Sequence, residues 1–580
     1  MHQSAKNIPL QRLRLGLIGA IIILELLAVA VPALNLAPNA RGLSFFFFIR
    51  QDALVLAVLL TTILLAKPDR ALRSGYGAWL TVFDQPLAIC LLALALLAVC
   101  WAGHYLVFLG YDLSRDEQMA NFDAYIFSHG RLFWPIPPEW RPYADALNQM
   151  FTQPIGNYEA WIFAYLPINA AMRGAIGFIA DPALTSPFMT ALGAVALWRI
   201  SLRLWPDCPS ARTVALILYA GSAQILLMGM TAYAMSAHLA FNLIWLALFL
   251  RGRPASHAAA LAVGFLATGL HQPVFHPLFV LPFMWMLFRQ RRWRLILFYG
   301  TGYGLVCAFW FAWPIWISSH GIGHVALHND PGIGYVDRLL KTVRLPSIEA
   351  LWLMALNLLR FASWQHLLLL PLALFGVRMT WKGDAVVQAL ALGLVLPVAA
   401  MLLLLPYQGH GWGYRYMHGV IGNACLLGAY GWKSLEVQGR SMHKALLWSS
   451  AISFLLLIPA RAWMAHQMVA PYAEMSAMID RSGADVAIVD EDAAPFAQDL
   501  VINRPDLSNR PVRLTNNFSN SKALTRLCRK KSVMVPRTDK FEAIQNIFGR
   551  NRTATSTSNL AKNMDGNKEP CKAAIFGLEK

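Results

Sequence analysis

Charged side chains are scarce in this sequence. Only 14% of the 580 residues are Asp, Glu, Lys or Arg, whereas a soluble protein carries about 25%. The charge is missing in blocks, since residues 54–66, 87–103 and 385–406 contain none of the four types. A bilayer core requires helices of about 17–25 apolar residues. The recurring blocks exclude a soluble protein with a single anchor and indicate a polytopic membrane protein in which helices satisfy the backbone hydrogen bonds.

Cysteine is also scarce, and its spacing gives no metal-binding signal. The chain has seven cysteines and no C-x-x-C pair. Those in apolar stretches are interpreted as small core residues: Cys90, Cys100, Cys307 and Cys425. Cys528 and Cys571 lie in a C-terminal segment predicted to face an oxidising compartment, where they could pair.

The basic residues that are present occur in alternate short loops, and the net charge of +18 is therefore unevenly spread. The positive-inside rule places these loops in the cytoplasm and the intervening loops outside. No nucleic-acid partner is expected. The loops carry these residues: Lys67, Arg70, Arg73; Arg199, Arg203, Arg212; Arg251, Arg253; Arg289, Arg291, Arg292, Arg294; Arg378, Lys382; Lys433, Arg440, Lys444.

The charge pattern predicts about 13 transmembrane helices. The first apolar run, residues 15–34, is longer than the h-region of a signal peptide, which has about 7–15 residues. Two amphipathic stretches, 160–180 and 349–360, are interpreted as helices at the outer interface, because counting either one as a span would invert the later loops. The predicted spans are 15–35, 51–66, 87–110, 187–205, 211–228, 233–250, 257–271, 274–288, 294–317, 364–380, 385–405, 414–432 and 444–462.

An odd number of spans places the N-terminus in the cytoplasm and the C-terminus outside. Within residues 471–545, Ala487-Ile488-Val489 before Asp490 reads as a buried strand of a small extracytoplasmic α/β domain. Residues after about 550 are rich in Asn, Thr, Ser and Lys, which is typical of disorder. The predicted organisation is N-terminal helices in 1–110, a first outer loop in 111–186, helices in 187–462 with a second outer loop in 318–348, the α/β domain in 463–549 and a tail in 550–580.

The first outer loop carries the adjacent acids Asp116 and Glu117 where an apolar stretch ends. Two interpretations stay open. Ser114 and Glu117 have the spacing of a helix capping box, and acids in a first turn suit the helix dipole. Alternatively, a carboxylate at the lipid–water boundary is partly desolvated and acts as a general base, an effect of about 10²–10⁴-fold in rate. The helix would place Asp123 near the same face as Asp116. The aromatic residues that follow suit an interfacial cleft: Phe122, Tyr125, Phe127, Phe133, Trp134 and Trp140.

An Asp-Glu pair that opens the first large outer loop before an aromatic-rich segment resembles the GT-C class of integral-membrane glycosyltransferases. The class includes protein O-mannosyltransferases and aminoarabinose transferases of lipid A. Residues 186–188 with the helix after them, and residues 218–240, are similar in layout to it. The resemblance covers residues 85–320 in the order of elements, and the Asp-Glu pair is its one sharp motif. The chain departs from the class in having two predicted helices before the usual first one.

The resemblance implies an all-α fold of GT-C type in a bacterial inner membrane. It further implies an enzyme that takes a sugar from a polyprenyl-phosphate carrier and transfers it, with inversion, to an extracytoplasmic acceptor. Asp116 would accept the proton of the acceptor hydroxyl, and Glu117 would orient the acceptor or help a cation. No nucleotide-binding glycine loop is visible, since the glycines of 300–304 lie in an apolar span and suit helix packing.

A lipid-phosphate leaving group calls for cations on the outer face. Arg415 lies in a Gly- and aromatic-rich segment, 407–418, at the outer start of a predicted span. Arginine grips phosphate bidentately, and the glycines would let the backbone approach a ligand. The other interpretation is an interfacial anchor made of Trp412, Tyr414 and Tyr416. Tyr414 and His418 are included as candidate substrate-binding residues.

The remaining candidates are weaker. Lys341 and Arg344, with Arg338, could steer an anionic headgroup, or they form a solvated loop face. His271 with His276 is expected to line the outer cavity. Glu159 is a second acidic candidate, or a charge at the start of the 160–180 helix. His320, His324 and His328 are spaced by four, but neighbouring glycines oppose a helix there. No metal site is therefore assigned, although a divalent cation remains possible.

Two other functions remain in view. Transporters and flippases place ionisable residues inside their spans, whereas the spans here are nearly free of charge away from their ends, apart from Glu25. This distribution favours an enzyme over a transporter or flippase of a lipid-linked or polar substrate. A non-catalytic assembly subunit with a partner-binding C-terminal domain is not excluded.

Overall fold

The computed structural model describes the chain except for residues 1–7, 38–41, 71–77, 149, 156–158, 321–342, 344, 519–520 and 549–580. Helices dominate the described residues. In chain order the α-helices are α1 (Ile8–Ala33), α2 (Leu43–Phe47), α3 (Ala53–Leu65), α4 (Pro86–Leu106), α5 (Arg115–Ser128), α6 (Ile168–Gly177), α7 (Thr185–Leu204), α8 (Pro209–Ala220), α9 (Ala223–Gly229), α10 (Met235–Arg251), α11 (Pro254–Thr268), α12 (Phe275–Arg289), α13 (Trp293–His320), α14 (Ile348–Ser363), α15 (Leu369–Thr380), α16 (Ala385–Leu404), α17 (Ile421–Val437), α18 (His443–Ile452), α19 (Ile458–Asp480), α20 (Ser521–Lys530) and α21 (Glu542–Ile547).

Short strands and tight helical turns complete the described secondary structure. The strands are β1 (Asp69–Arg70), β2 (Trp134–Pro135), β3 (Thr152–Ile155), β4 (Ala160–Phe163), β5 (Arg440–Ser441), β6 (Val486–Val489), β7 (Val512–Thr515) and β8 (Val533–Met534). The 3₁₀ turns are Ala78–Asp84, Arg141–Leu147, Pro182–Leu184, Arg415–Val420, Ala497–Leu500 and Thr538–Phe541, and π turns occur at Phe48–Asp52 and Ser453–Leu457.

The chain is a polytopic membrane protein, and its apolar part is all α-helical. Among the described residues, seven helices are long and apolar enough to cross a membrane, or eight if the bent pair α8 and α9 is one span broken by 56°. Each of the thirteen predicted spans overlaps a helix. The count of 13 spans stays a prediction, because four of those helices have only 10–17 residues. They are α10, α11, α12 and α15.

Two of the predicted boundaries of membrane spans are wrong. The span predicted to start at residue 51 begins at Leu43 and runs to Leu65, because a π turn at Phe48–Asp52 continues the helix. Asp52 therefore lies inside a candidate span instead of at its end. The span predicted to end at residue 462 continues as a helical segment, His443–Asp480, so residues 463–480 extend the helix.

The chain divides into two compact units. Unit 1 comprises residues 1–103, 183–311 and 335–462. Its helices approach closely where small residues meet, as is common in membranes. A Cβ at Gly431 would lie 2.0 Å from the backbone oxygen of Leu372, and one at Gly376 would lie 2.2 Å from that of Leu427. These glycines let α15 and α17 pack backbone to backbone.

Unit 2 comprises residues 104–182, 312–334 and 463–580. It contains an antiparallel sheet of order β2-β4-β3 and a parallel sheet of order β7-β6-β8. The buried strand predicted at 487–489 is confirmed as β6, whose four residues are all buried. One core joins the first loop to the C-terminal segment, and it includes Met119, Phe122, Trp161, Ile488 and Leu514. The loop is therefore folded on the α/β segment.

The amphipathic helix predicted at 160–180 is only partly present. Residues 160–163 form β4, all buried, and the helix α6 begins at Ile168. The segment forms a strand that is buried on both faces, and its residues are Ala160, Trp161, Ile162 and Phe163. The spacing of apolar residues cannot distinguish such a strand from a buried helix. The stretch predicted at 349–360 is a helix, α14. Cys528 is disulfide-bonded, and Cys571 lies outside the described residues.

Candidate functional site

The start of α5 in unit 2 is a capping box, as the first interpretation predicted. The backbone N–H and the hydroxyl of Ser114 both donate to Glu117 Oε2, each at 3.2 Å. Glu117 is only 2% exposed. Its carboxylate is therefore used to hold the N-terminus of α5, and Glu117 supports the site by fixing the helix that carries its neighbour.

Asp116 has a different environment from Glu117. It is half-buried in the first turn of α5, where the helix dipole stabilises an anion. The phenol of Tyr165, 49 residues further along the chain, donates to Asp116 Oδ1 at 2.6 Å. This short bond fixes the carboxylate in one orientation. The two adjacent acids therefore divide between a structural and a potential chemical role.

A third carboxyl group, Asp499, belongs to the same electrostatic cluster. Asp499 lies in the C-terminal part of unit 2 and is only 5% exposed. Burial raises its pKa from 3.8 to about 7; the nearby Arg115 opposes this shift and the nearby Asp116 adds to it. The side-chain amide of Gln118, on α5, donates to the Asp499 backbone oxygen at 2.7 Å. Unit 2 thus places a protonatable carboxyl within electrostatic range of Asp116.

Arg115 connects α5 to this C-terminal segment. Its guanidinium is buried and donates to the backbone oxygens of Asn148 and Val501, the latter at 3.2 Å. It also lies over the ring of Phe163, 5.0 Å from the centroid. Burial lowers the pKa of Arg115 to about 10, and Asp499 opposes that shift. Arg115 supplies positive charge beside the two aspartates.

A second cation, Arg173 of α6, interacts electrostatically with acids of the first loop. It is 2% exposed, and it donates to Asn121 Oδ1 at 3.5 Å and to the Pro182 backbone oxygen at 3.4 Å. Burial lowers its pKa, against the influence of Asp112, Glu117 and Asp181. Asn121 in turn donates to Asp112 Oδ2 at 2.5 Å.

The helix α6 can approach α5 because a Cβ at Gly174 would lie 3.1 Å from the Ala124 backbone oxygen.

A cavity of about 350 Å³ in unit 2 is lined by Arg115 and Gln118 of α5 but not by Asp116. Its walls combine amides, carboxylates, guanidinium groups and aromatic rings, a mixture that suits a polar ligand. The lining residues are Asp112, Arg115, Gln118, Asn121, Phe122, Tyr125, Phe163, Ser476, Asp480, Ile502, Asn503, Arg504, Pro505, Asn509 and Arg513.

Two other acids of the loop have structural contacts. Asp123 is 3% exposed and accepts the backbone N–H of Phe163 at 3.1 Å, and its pKa is raised by burial. It shares the segment 163–165 with Asp116, as expected for one helix face. Glu159 does not begin a helix, contrary to the prediction. It lies before β4, with a 3.9 Å ion pair to Arg141.

In unit 1, Arg415 begins a 3₁₀ turn that leads into α17. The side chain is only 8% exposed, between the rings of Tyr233 and Tyr416 at 5.6 and 5.2 Å from its guanidinium carbon. Its Nη2 donates to the Tyr416 hydroxyl at 3.4 Å. The backbone N–H of Arg415 donates to Gln408 Oε1 at 3.0 Å. The structure therefore holds a guanidinium in an aromatic cradle.

The glycines of the Arg415 segment serve the protein's own side chains. Gly411 has φ of 154°, and a Cβ there would lie 3.2 Å from Arg415 Cδ. Gly413 has φ of 78°, and a Cβ there would lie 2.5 Å from the Gln224 side chain. Larger residues would displace both side chains. These glycines leave room for the side chains of Arg415 and Gln224, and the approach of a ligand to their backbone stays a prediction.

The other unit 1 candidates are buried. Tyr414 is 0% exposed, and its hydroxyl donates to Met354 Sδ at 3.7 Å. His418 is also 0% exposed, and His271 is 6% exposed with its ring 6.3 Å from that of Phe275. His276 contacts Asn242 Oδ1 at 2.7 Å and the Tyr303 hydroxyl at 2.8 Å. These residues form part of the polar interior of unit 1.

A buried ion cluster, which was not predicted from the sequence, holds the Arg415 segment. Asp52 pairs with Arg360 at 3.0 Å and with Arg461 at 3.2 Å. Arg360 Nη2 donates to the Gly411 backbone oxygen at 2.9 Å, and its Nε donates to that of Gly413 at 3.1 Å. Asp52 and Arg461 both lie inside candidate spans, which corrects the expectation that spans carry almost no charge.

Some candidates lie outside the described residues. These are Lys341 and Arg344, with Arg338, His324 and His328. Across the ranges that the structure describes, no three His, Cys, Asp or Glu side chains are grouped so as to hold a metal ion.

Comparison with family models and with curated proteins found no match. Solved structures that are similar in fold include two of ArnT from Cupriavidus metallidurans. The one bound to undecaprenyl phosphate has a TM-score of 0.46 and 11% identity, and the match covers 70% of this chain and 83% of that chain. The apo structure has a TM-score of 0.41 and 9% identity, covering 63% and 80%.

Proposed function

We propose that this chain is an integral-membrane glycosyltransferase that moves a sugar from a polyprenyl-phosphate donor to an extracytoplasmic acceptor with inversion. The observation that carries the proposal is that the two adjacent acids at the start of α5 make different contacts. Glu117 accepts the hydrogen bonds of the helix cap. The Asp116 carboxylate accepts a hydrogen bond from the Tyr165 phenol at 2.6 Å and interacts electrostatically with the buried Asp499. A carboxylate that is fixed, half-buried and not needed for the cap suits a general base.

The proposed step needs no further reactant. The acceptor hydroxyl gives its proton to the Asp116 carboxylate while its oxygen attacks the anomeric carbon. The bond from that carbon to the phosphate oxygen breaks, and polyprenyl phosphate leaves with the electron pair. Attack opposite to the leaving group inverts the anomeric centre. A lipid-linked donor also suits an outward reaction, because nucleotide sugars are made in the cytoplasm.

Arg415 is the proposed ligand of the donor phosphate. Its guanidinium is a fixed positive charge on a loop that Arg360 ties to Asp52. Guanidinium binds phosphate oxygens through paired N–H donors, and the flanking aromatic rings reduce competing hydration. Tyr414 and His418 belong to the same buried segment, His271 is also buried, and all three remain candidate substrate-binding residues. Lys341, Arg344 and Glu159 remain candidate substrate contacts.

A transporter or flippase is the second candidate, because Asp52 and Arg461 are charged groups inside candidate spans. Such groups mark ion or substrate pathways in transporters. Here, however, Asp52 accepts hydrogen bonds from Ser363 Oγ at 2.8 Å and Trp364 Nε1 at 2.9 Å in addition to both arginines. A carboxylate with four partners suits a structural role better than a moving ion.

The two functions are separated by one reconstitution experiment. Purified protein in vesicles is given polyprenyl-phosphate hexoses and pentoses labelled in the sugar, together with a membrane extract that supplies acceptors. A transferase releases polyprenyl phosphate and labels the extract. Movement of intact donor between leaflets without release of polyprenyl phosphate would instead establish a flippase and reject the proposed function.

A further inference from the structure

Two helices of unit 1 end together beside a basic cavity. The last turns of α7 and α10 are joined by a hydrogen bond from Arg203 Nη1 to the Leu250 backbone oxygen at 2.9 Å. Because both helices end here, their exposed carbonyl groups make this end of the pair negative. Arginines at a helix C-terminus offset that dipole, and this accounts for Arg203, which caps a carbonyl.

The cavity between α7 and α10 has a volume of about 650 Å³, within the range of ligand sites. Three arginines, Arg199, Arg203 and Arg251, converge on it, and the described residues that line it include no carboxylate. The rest of the wall is apolar and half-buried or buried: Leu192, Val195, Ala196, Leu202, Ile244, Ala247 and Leu248.

Dipole compensation also accounts for Arg251, the last residue of α10, but it does not account for Arg199. Arg199 lies more than a turn before the end of α7, and its guanidinium carbon is 5.0 Å from the Trp198 ring centroid. Among the described residues, neither Arg199 nor Arg251 forms an ion pair with a carboxylate. Both are exposed at the mouth of the cavity. Their charges are therefore available to an anion that approaches along the apolar wall.

The combination defines the ligand by its chemistry. A free anion would use the arginines but not the apolar wall, and a neutral lipid would use the wall but not the arginines. An anionic phospholipid uses both, with its phosphate at the guanidinium groups and its acyl chains along α7 and α10. Basic pockets between membrane helices are recognised sites for anionic headgroups. The positive-inside rule places these arginines at the cytoplasmic leaflet.

We propose that this cavity binds an anionic diacyl phospholipid, with Arg199 and Arg251 on its phosphate group. The inference does not depend on the proposed glycosyltransferase function, since none of these residues belongs to the candidate catalytic or donor-binding groups.

Full-length protein in a non-ionic detergent is titrated with phosphatidylglycerol, and bound lipid is counted by native mass spectrometry. Each basic residue near an anionic headgroup contributes about a fivefold gain in affinity. The double variant Arg199→Gln/Arg251→Gln is expected to bind roughly 30-fold more weakly, and Arg251→Gln alone about fivefold more weakly. The matched control is Arg378→Gln, an exposed arginine in the last turn of α15 that does not line the cavity; it should bind as the unmutated protein does.

Phosphatidylcholine and inorganic phosphate distinguish the alternatives. Binding of phosphatidylcholine as tight as that of phosphatidylglycerol would overturn the proposal, because the arginines would then add nothing. Displacement of the lipid by an equal concentration of inorganic phosphate would reduce the site to a simple anion site and also overturn it. Equal binding by the double variant, with an unchanged size-exclusion profile, would place the lipid elsewhere.

Discussion

Asp499 makes a prediction about the pH dependence of stability that can be worked from the structure. Its side chain is buried and its pKa is raised from 3.8 to about 7, chiefly by desolvation. A pKa raised this far corresponds to a free-energy difference of about 4 kcal/mol between the two protonation states. The protonated form is favoured in the folded protein. Its stabilising contribution is therefore fully present below pH 3.8 and is lost as the pH rises to about 7.

The substitution Asp499→Asn replaces the carboxyl with a neutral group of the same shape. The variant should therefore gain stability relative to the unmutated protein as the pH rises from about 4 to 7, with a limit of about 4 kcal/mol. The measurement is the difference in thermal midpoint between the two full-length proteins in detergent, taken at half-unit steps from pH 4 to 8. A difference that stays constant across this window would refute the assignment of a titrating carboxyl to Asp499.

Asp485 provides the control for this experiment. It is a half-buried aspartate of the same unit, and hydrogen bonds from Ser532 lower its pKa below 3.8. The pH dependence of its stabilising contribution is opposite in sign to that of Asp499. The contribution of Asp485 is present above the pKa of the unfolded state and is lost as the pH falls below that pKa. Asp485→Asn should therefore give no change of slope between pH 4 and 8. A matching slope in both variants would point to a general charge effect on unit 2.

Three further predictions concern individual contacts. Tyr165→Phe removes the 2.6 Å bond to Asp116 and should lower kcat about tenfold with KM unchanged, since a bond that orients the base contributes about 1–2 kcal/mol; a changed KM with normal kcat in a steady-state assay would contradict this. Arg415→Ala should weaken binding of a polyprenyl-phosphate sugar by about 10–100-fold, with partial rescue by Arg415→Lys; unchanged binding in a filter assay would remove Arg415 from the site. Asp52→Asn leaves two buried arginines without their counter-charge and should cost about 3–5 kcal/mol, seen as a lower thermal midpoint in detergent, whereas a normal midpoint together with lost transport of lipid-linked sugar would favour the transporter.

Much of the helical framework was accessible from the sequence. Long uncharged blocks predict helices because lipid offers no other partner for backbone groups, and each predicted span overlaps a helix of the structure. The capping box at Ser114 and Glu117 was also predictable, since it depends on residues three apart. Strand β6 was predictable as a short apolar run before an acidic turn.

The side chains that surround Asp116 in the candidate site could not be predicted from local sequence patterns. Asp499 lies 383 positions after Asp116 and sits in an ordinary Ala-Gln-Asp-Leu segment, so no local spacing connects them. Tyr165 was not recognised as a partner of Asp116, because it lies in a stretch that was predicted to be helical. The apolar residues just before Tyr165 form β4 instead. The ion cluster at Asp52 was missed because the span boundary was placed where charge begins, whereas a π turn continues the helix through it.

The most direct test of the proposed function is the rate of sugar transfer by Asp116→Asn. Purified unmutated protein, Asp116→Asn and the exposed loop control Asp145→Asn are compared for release of polyprenyl phosphate from a labelled donor in the presence of acceptor. The proposal predicts that Asp116→Asn binds donor normally and loses about 10²–10⁴-fold in rate, while Asp145→Asn is unaffected. Transfer by Asp116→Asn at the unmutated rate would contradict the assignment of Asp116 as the general base.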